Sequence, residues 1–258
     1  IDAGRFGSPL LARGTFGEVS IAILNKDSGC GGRDYVVLKK VEGSTTGNAQ
    51  LKHSIFQEIM SLYTLRGHSN IVSLLGVYAS SASHPGSLCM VFEYGIMDLN
   101  EYVQYLSFPM EMNIIKGIAK NILSALQHCH SMNIVHGDIK PGNLLLCKHT
   151  DGNVRWKLCD FGLAEIAETE TNQEGLCTLW YRPPELLLAG EAYKFKKTSI
   201  DIYSCALLIA ETLLQHPLIT GRSVLDQLNR TFDLLGSPTE ENWPSWTQFL
   251  PEGSNMIK

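Results

Sequence analysis

Up to about Phe92 the apolar residues of this chain fall in short runs, and beyond Gly95 they recur at helical spacing. Val36-Val37-Leu38 and Leu88-Cys89-Met90-Val91-Phe92 are apolar runs bounded by polar or glycine-containing stretches, as expected of buried strands. Between them Ile55, Ile59 and Leu62 are spaced for one helix face, which predicts a helix over 54–65 with Ser54 as its N-cap. Downstream, Ile115, Ile118, Ile122, Ala125, Leu126 and Cys129 share one side of a long amphipathic helix. Residues 200–214 are apolar nearly all round, which predicts a helix buried inside its lobe. A strand-rich zone followed by a helix-rich zone predicts an α+β fold of two lobes, 1–94 and 95–258. A cleft between such lobes is a natural ligand site.

Composition narrows the class. A chain of 258 residues can bury a sizeable core in one or two domains. At 44% hydrophobic and 18% charged it matches an ordinary globular protein, not a disordered one. Its net charge of −5 lacks the basic excess of a nucleic-acid binder. No apolar run reaches the roughly 18 residues of a membrane helix, so neither nucleic acid nor membrane is expected as a partner. The seven cysteines are odd in number and never form a C-x-x-C pair. That argues against a secreted disulfide framework and for a reducing, intracellular setting, nucleus or cytoplasm. His128-Cys129-His130 tempts a zinc assignment, but consecutive helix residues point in different directions and cannot converge on one ion.

Chemistry enters with polar residues at fixed spacing. His136-Gly137-Asp138-Ile139-Lys140-Pro141-Gly142-Asn143 sets a carboxylate, an ammonium and an amide close together, and Asp160-Phe161-Gly162 follows. Phosphoryl transfer needs little covalent help and much positioned charge, which such groups supply. Leu11-Ala12-Arg13-Gly14-Thr15-Phe16-Gly17-Glu18-Val19 can bring backbone N–H groups close to phosphates, although Gly-Thr-Phe-Gly also suits a plain hairpin turn. Lys39 ends an apolar strand, and its buried charge would need an anionic partner. Glu58 on the next helix is the candidate; the alternative is a solvent-facing Lys39 and a solvated Glu58. Cys159, just before Asp160, either faces the cleft or is an inert buried thiol.

Together these segments resemble the catalytic domain of eukaryotic protein kinases. The Asp-x-Lys-Pro-x-Asn wording resembles Ser/Thr rather than Tyr kinases, and Thr178-Leu179-Trp180-Tyr181-Arg182-Pro183-Pro184-Glu185 resembles the end of a kinase activation segment. Ser223-Val224-Leu225-Asp226-Gln227-Leu228 and Leu235-Gly236-Ser237-Pro238-Thr239 resemble the cyclin-dependent kinases in particular. The resemblance implies the bilobal kinase fold, with a small β-rich N-lobe carrying one regulatory helix and a larger helical C-lobe. It implies ATP and Mg²⁺ as cofactors and Ser/Thr hydroxyls as acceptors. Asp138 is then the catalytic base, Lys140 steadies the transferring phosphoryl group, and Asn143 and Asp160 hold Mg²⁺. Leu11, Ala12, Gly14, Gly17, Val19, Lys39 and Glu58 belong to the ATP site. Phe92 is its gatekeeper, Glu93 and Gly95 face adenine with backbone groups, and Asp98 sits at the ribose edge. Leu163 fits serine-preferring acceptor sites. Arg182 shapes a pocket for proline after the acceptor, giving protein substrates with Ser/Thr-Pro sites. Glu185 and Asp201 are structural.

Several positions depart from that pattern. Ala12 stands for the usual first glycine, and Phe16 for an inhibitory tyrosine. The activation-loop phosphothreonine and its arginine clamp are missing together: Gln173, Gln57, Gly137 and Glu165 occupy their positions. Activity independent of activation-loop phosphorylation is therefore expected. His53-Ser54-Ile55-Phe56-Gln57-Glu58 differs from the helix wording that cyclin-binding members present, which weakens the expectation of a cyclin-like activating subunit. The family's arginine partner for Glu185 lies in a region past Lys258, so a helical lobe lacking its last helices is expected. Ala12 and Gly137 also motivate an alternative: a pseudokinase or scaffold that binds nucleotide or partners without turnover.

Overall fold

The computed structural model describes residues 10–14, 17–24, 34–41, 49–79, 88–149, 151–169, 177–190, 193 and 197–250. Within these, the side chains of 10–14, 17, 24, 34 and 49–52 are not described. Thr15, Phe16, Cys30 and Gln173 fall outside the described residues.

The β-branched and apolar runs form β1 (Leu10–Gly14), β2 (Gly17–Leu24), β3 (Asp34–Val41), β4 (Leu74–Ala79) and β5 (Leu88–Glu93). They pair antiparallel in the order β1-β2-β3-β5-β4. Strands β3 and β5 contain the two predicted runs. Their register sets Val37 opposite Phe92 and Lys39 opposite Met90. Helix α1 (Ala49–Thr64) links β3 to β4. It starts well before the predicted boundary, so Ser54 lies inside it and is not its N-cap. The Ser54 hydroxyl donates instead to the carbonyl of Gly162, 2.6 Å away.

Beyond β5, a three-stranded sheet is built from β6 (Gly95–Asp98), β8 (Leu144–Lys148) and β9 (Val154–Leu158), and β7 (Ile134–Val135) pairs with β10 (Glu165–Ile166). Around them lie α2 (Leu99–Tyr105), α3 (Met112–Ser131), α4 (Pro184–Ala189), α5 (Ser199–Leu214) and α6 (Val224–Leu235). The buried residues of α3 are the six apolar residues its periodicity singled out. Helix α5 is largely buried, as expected, with Ile200, Cys205, Leu207 and Leu208 inside, but its polar residues share that interior. Ile202, Leu213 and Leu214 are exposed, whereas Asp201, Ser204, Glu211 and Thr212 are buried. Apolar count gave no angular information there, and the buried face proves to be mixed, part apolar and part polar.

One hydrophobic cluster runs through both regions. It joins Ile55 and Leu62 of α1, Met90 and Phe92 of β5, Ile118 and Leu126 of α3, and Leu158 and Phe161. Each such side chain contributes about 1.5–3 kcal/mol when fully buried. Backbone bonds stitch the same seam: Val72 N–H donates to Leu158 O at 2.9 Å, and Leu158 N–H to Asn70 O at 2.8 Å. The sheet with α1 and the helical region are thereby held as the two walls of a cleft. Among the described helices none is long and apolar enough to cross a membrane.

Candidate active site

Between those walls lies a cavity of about 270 Å³. Val19, Val37, Val72, Phe92, Leu145 and Cys159 give it apolar sides, and Lys39, Glu58, Glu93 and Asp160 a polar end. Apolar sides suit a heteroaromatic ring, and the polar end suits charged groups attached to it. Gly95 is small for a reason: a Cβ there would come within 3.1–3.4 Å of the Leu145 side chain, which forms one wall. Asp98 is not part of the wall. It caps α2, accepting from Glu101 N–H at 2.8 Å in a reciprocal capping box. The side chains of Leu11 and Ala12 lie outside the described part, and Leu11, Ala12, Gly14 and Gly17 are placed only as strand positions.

At the polar end Lys39 Nζ lies 2.8 Å from both Glu58 oxygens and 3.5 Å from Asp160 Oδ1. The solvent-facing alternative for these two is overturned: Glu58 is only 3% exposed. Burial opposes the Lys39 charge, but Glu58 and Asp160 together outweigh it and hold the ammonium above its ordinary value. Burial pushes the Glu58 carboxyl up, with Lys39 opposing. Asp160 takes a left-handed backbone (φ 59°), and its carboxylate stays partly exposed toward the cavity. Such a conformation is disfavoured for residues other than glycine and marks a site where position outweighs comfort. Cys159 reaches the wall as a protonated thiol, its pKa pushed up by burial and then by Asp160.

The segment 136–143 converges on Asp138. Lys140 Nζ donates to Asp138 Oδ2 at 2.7 Å and to Thr178 Oγ1 at 3.0 Å. Thr178 returns two bonds to Asp138 Oδ1, from N–H at 3.0 Å and from Oγ1 at 2.7 Å. Asn143 Nδ2 donates to Asp138 O at 2.8 Å and Oδ2 at 3.1 Å. Burial works against the Asp138 charge, but the bonds from Lys140 and Thr178 outweigh it and hold the carboxyl below its usual value. Asn143 O also accepts from Cys159 N–H at 3.0 Å, which sets this segment directly against Asp160.

Behind the loop stands Asp201, fully buried at the start of α5. Its carboxylate accepts from His136 N–H, Gly137 N–H and His130 Nε2, each at 2.9 Å. His136 accepts from Asp138 N–H at Nδ1 (3.2 Å), so its Nε2 carries the proton and donates to Cys159 O at 3.0 Å. Its ring meets Phe161 edge-on at 4.7 Å. Asp201, His136 and Phe161 thus brace one another behind Asp138 and Asp160.

A family model for the protein kinase domain matches residues 8–258. The chain belongs to the protein kinase family. Its relatives place it with the Ser/Thr kinases of the cyclin-dependent type. It is 36% identical over 219 residues to cyclin-dependent kinase 1 of Encephalitozoon cuniculi, covering 83% of this chain and 70% of that protein. It is 38% identical over 204 residues to cell division control protein 2 homolog 1 of Trypanosoma brucei brucei, covering 78% and 63% respectively. The kinase domain therefore spans about two thirds of the length of these relatives.

Within this kinase domain the remaining assigned residues are spread out. Arg182 follows the 3-10 turn Leu179–Tyr181, and its Nη2 donates to Cys177 O at 2.8 Å. Leu163 is half-buried at the end of the turn Phe161–Leu163. Glu185 lies in the first turn of α4, its carboxyl pushed up by burial while Lys197 attracts its charge. Of the departures from the family pattern, Gln57 is half-buried, Gly137 takes φ 79°, and Glu165 is buried in β10. Ser54, His130, Lys157 and Thr178 were assigned no part in the site from sequence. Lys157 Nζ reaches both Glu93 oxygens at 2.8 Å and so fixes the strand end beside the cavity. His128 stacks on His68 at 4.7 Å, while Cys129 is buried and His130 turns to Asp201, so the three part company as helix geometry requires.

Proposed function

We propose that this chain is an ATP-dependent, proline-directed protein Ser/Thr kinase that works without activation-loop phosphorylation. The observation that carries the activity is the convergence of Lys140, Asn143 and Thr178 on the Asp138 carboxylate, next to the Lys39–Asp160 end of the cavity. Asp138, held ionised, accepts the proton of an incoming Ser/Thr hydroxyl. Lys140 is placed to balance charge on the group being transferred. Lys39, steadied by Glu58, offers its ammonium to phosphates entering from the adenine-sized apolar pocket. A scaffold without turnover would have no use for this arrangement. The lobes are read as 1–94 and 95–258.

Mg²⁺ is a hard cation that prefers oxygen ligands. The partly exposed Asp160 carboxylate fits it, as does the Asn143 amide oxygen, since the amide nitrogen is committed to Asp138. When bound, Mg²⁺ neutralises phosphate charge.

Proline direction is supported by Cys177, whose left-handed backbone (φ 62°) turns its carbonyl onto Arg182. That carbonyl is unavailable to a substrate N–H after the acceptor, so proline, which has none, loses nothing there. Independence from a loop phosphate is supported by the buried Glu165 carboxylate, which would repel one, and by the absence of arginine at Gln57 and Gly137. An activating subunit has a candidate docking face in the exposed Phe56, Met60 and Tyr63 of α1. The described cysteines are free thiols, in keeping with an intracellular setting.

Labelled ATP with Mg²⁺ and matched Ser-Pro and Ser-Ala peptides test the reading. An unpaired buried N–H costs about 1–3 kcal/mol, so the Ser-Pro peptide should turn over about 5- to 150-fold faster. Phosphatase pretreatment should leave the rate unchanged. Equal rates on the two peptides would refute proline direction, and loss of activity after phosphatase would refute independence.

A further inference from the structure

We propose that Ser54 is a positioning residue that latches helix α1 to the magnesium loop, an inference that rests on the kinase reading above. A serine inside a helix ordinarily bonds to the carbonyl one turn back or faces water. Ser54 does neither. It is 9% exposed, and its hydroxyl crosses to Gly162 O at 2.6 Å, 108 residues away in sequence. Ser54 and Glu58 are one helical turn apart and share a face. Helix α1 is thus joined to Asp160-Phe161-Gly162 at two points: Glu58 acts through Lys39 on Asp160, and Ser54 acts directly on Gly162.

The geometry around Gly162 makes the second point consequential. A Cβ on Gly162 would lie 3.4 Å from Asp160 Oδ1, 3.6 Å from Ser54 Oγ and 4.0 Å from Glu58 Oε2, so these groups close around one peptide unit. Phe161, fully buried against His136, pins the other side. Fixing the Gly162 carbonyl fixes the turn that holds Asp160 left-handed, and with it the direction of the Asp160 carboxylate. Where a clamp of arginines on a loop phosphate would hold such a helix, this chain has Gln57 and Gly137. The hydroxyl is a permanent substitute, set by sequence instead of by modification.

The test compares Ser54→Ala and Ser54→Thr with the parent chain, in turnover of a Ser-Pro peptide and in amide hydrogen exchange at 160–163. Loss of one buried bond of this kind shifts an equilibrium by about 5- to 30-fold. Ser54→Ala should therefore lower kcat by about that factor, with peptide KM changed by less than about twofold, and should speed exchange at 160–163. Ser54→Thr, which keeps the hydroxyl, should restore both. A Ser54→Ala chain with parental kcat and exchange would overturn the latch. So would equal impairment of the Ala and Thr variants, which is what a packing role predicts. If the alanine variant does not fold, Ser54→Cys, close in size with a weak donor, is read against the same criteria. A parent without turnover would defeat the kinase reading, while exchange at 160–163 would still decide whether the bond holds the loop.

Discussion

Replacing Asp201 by asparagine is the sharpest probe of how the segment 136–143 is held. Oδ2 of Asp201 accepts from His136 N–H and His130 Nε2, and Oδ1 from Gly137 N–H. An asparagine that keeps its carbonyl at the Oδ2 position retains two of these bonds and turns an NH₂ group toward the Gly137 N–H. The opposite orientation loses two bonds, so the first is the better case. Losing one bond to a charged acceptor costs about 1.5–3 kcal/mol. The two that survive change from charge-assisted to neutral and weaken by about half. The total is about 3–6 kcal/mol, close to the roughly 3–5 kcal/mol expected when a buried charge network loses its anion. That is a large part of the roughly 5–15 kcal/mol stability of a typical domain, but it leaves the chain folded at 25 °C. With a urea slope of about 3 kcal/mol/M, the unfolding midpoint should fall by about 1–2 M. Activity should fall too, because the peptide units released precede Asp138. A midpoint shift below about 0.3 M at unchanged slope would mean that Asp201 does not brace the loop.

Two further outcomes follow from the same geometry. Gly137→Ala places a side chain at φ 79°, which should cost about 1–2 kcal/mol and be visible as a lower urea midpoint; no change would contradict the left-handed backbone. Burial, and then the neighbouring His128, hold the His68 imidazole below its ordinary value. The unfolded chain therefore binds a proton that the folded one refuses. Stability should decline as pH falls through 6.5 and stop declining below the folded-state value. His68→Gln should flatten that slope, and an equal slope in the variant would assign it elsewhere.

What could be read from the sequence was local. Asp138, Lys140 and Asn143 are brought together by a few residues of chain, so their spacing already implied their meeting. The apolar face of α3 was legible because period 3.6 reports angle directly. Helix α5 is buried as its composition implies, but its apolar residues surround it, so nothing in the sequence shows that Asp201, Ser204 and Glu211 also lie on its inner side. The helix over 54–65 was placed correctly in kind but begun too late, and Ser54 was given a cap's task. Its true partner is 108 residues away. His130 meets Asp201 across 71 residues and Lys157 meets Glu93 across 64. Periodicity and motif spacing carry no trace of such pairings, which exist only once the chain has folded. Asp98 also caps α2, a local use that Glu101 three residues on signals.

The central claim is that Asp138 is the base of an active phosphotransferase. Asp138→Asn preserves shape and burial while removing the proton acceptor, and general-base loss typically costs about 100- to 10,000-fold in rate. Measured with labelled ATP, Mg²⁺ and a Ser-Pro peptide, kcat should fall by that order while nucleotide binding by calorimetry stays within about twofold of the parent. A parent chain that binds nucleotide but transfers no phosphate, or an asparagine variant as fast as the parent, would contradict the account.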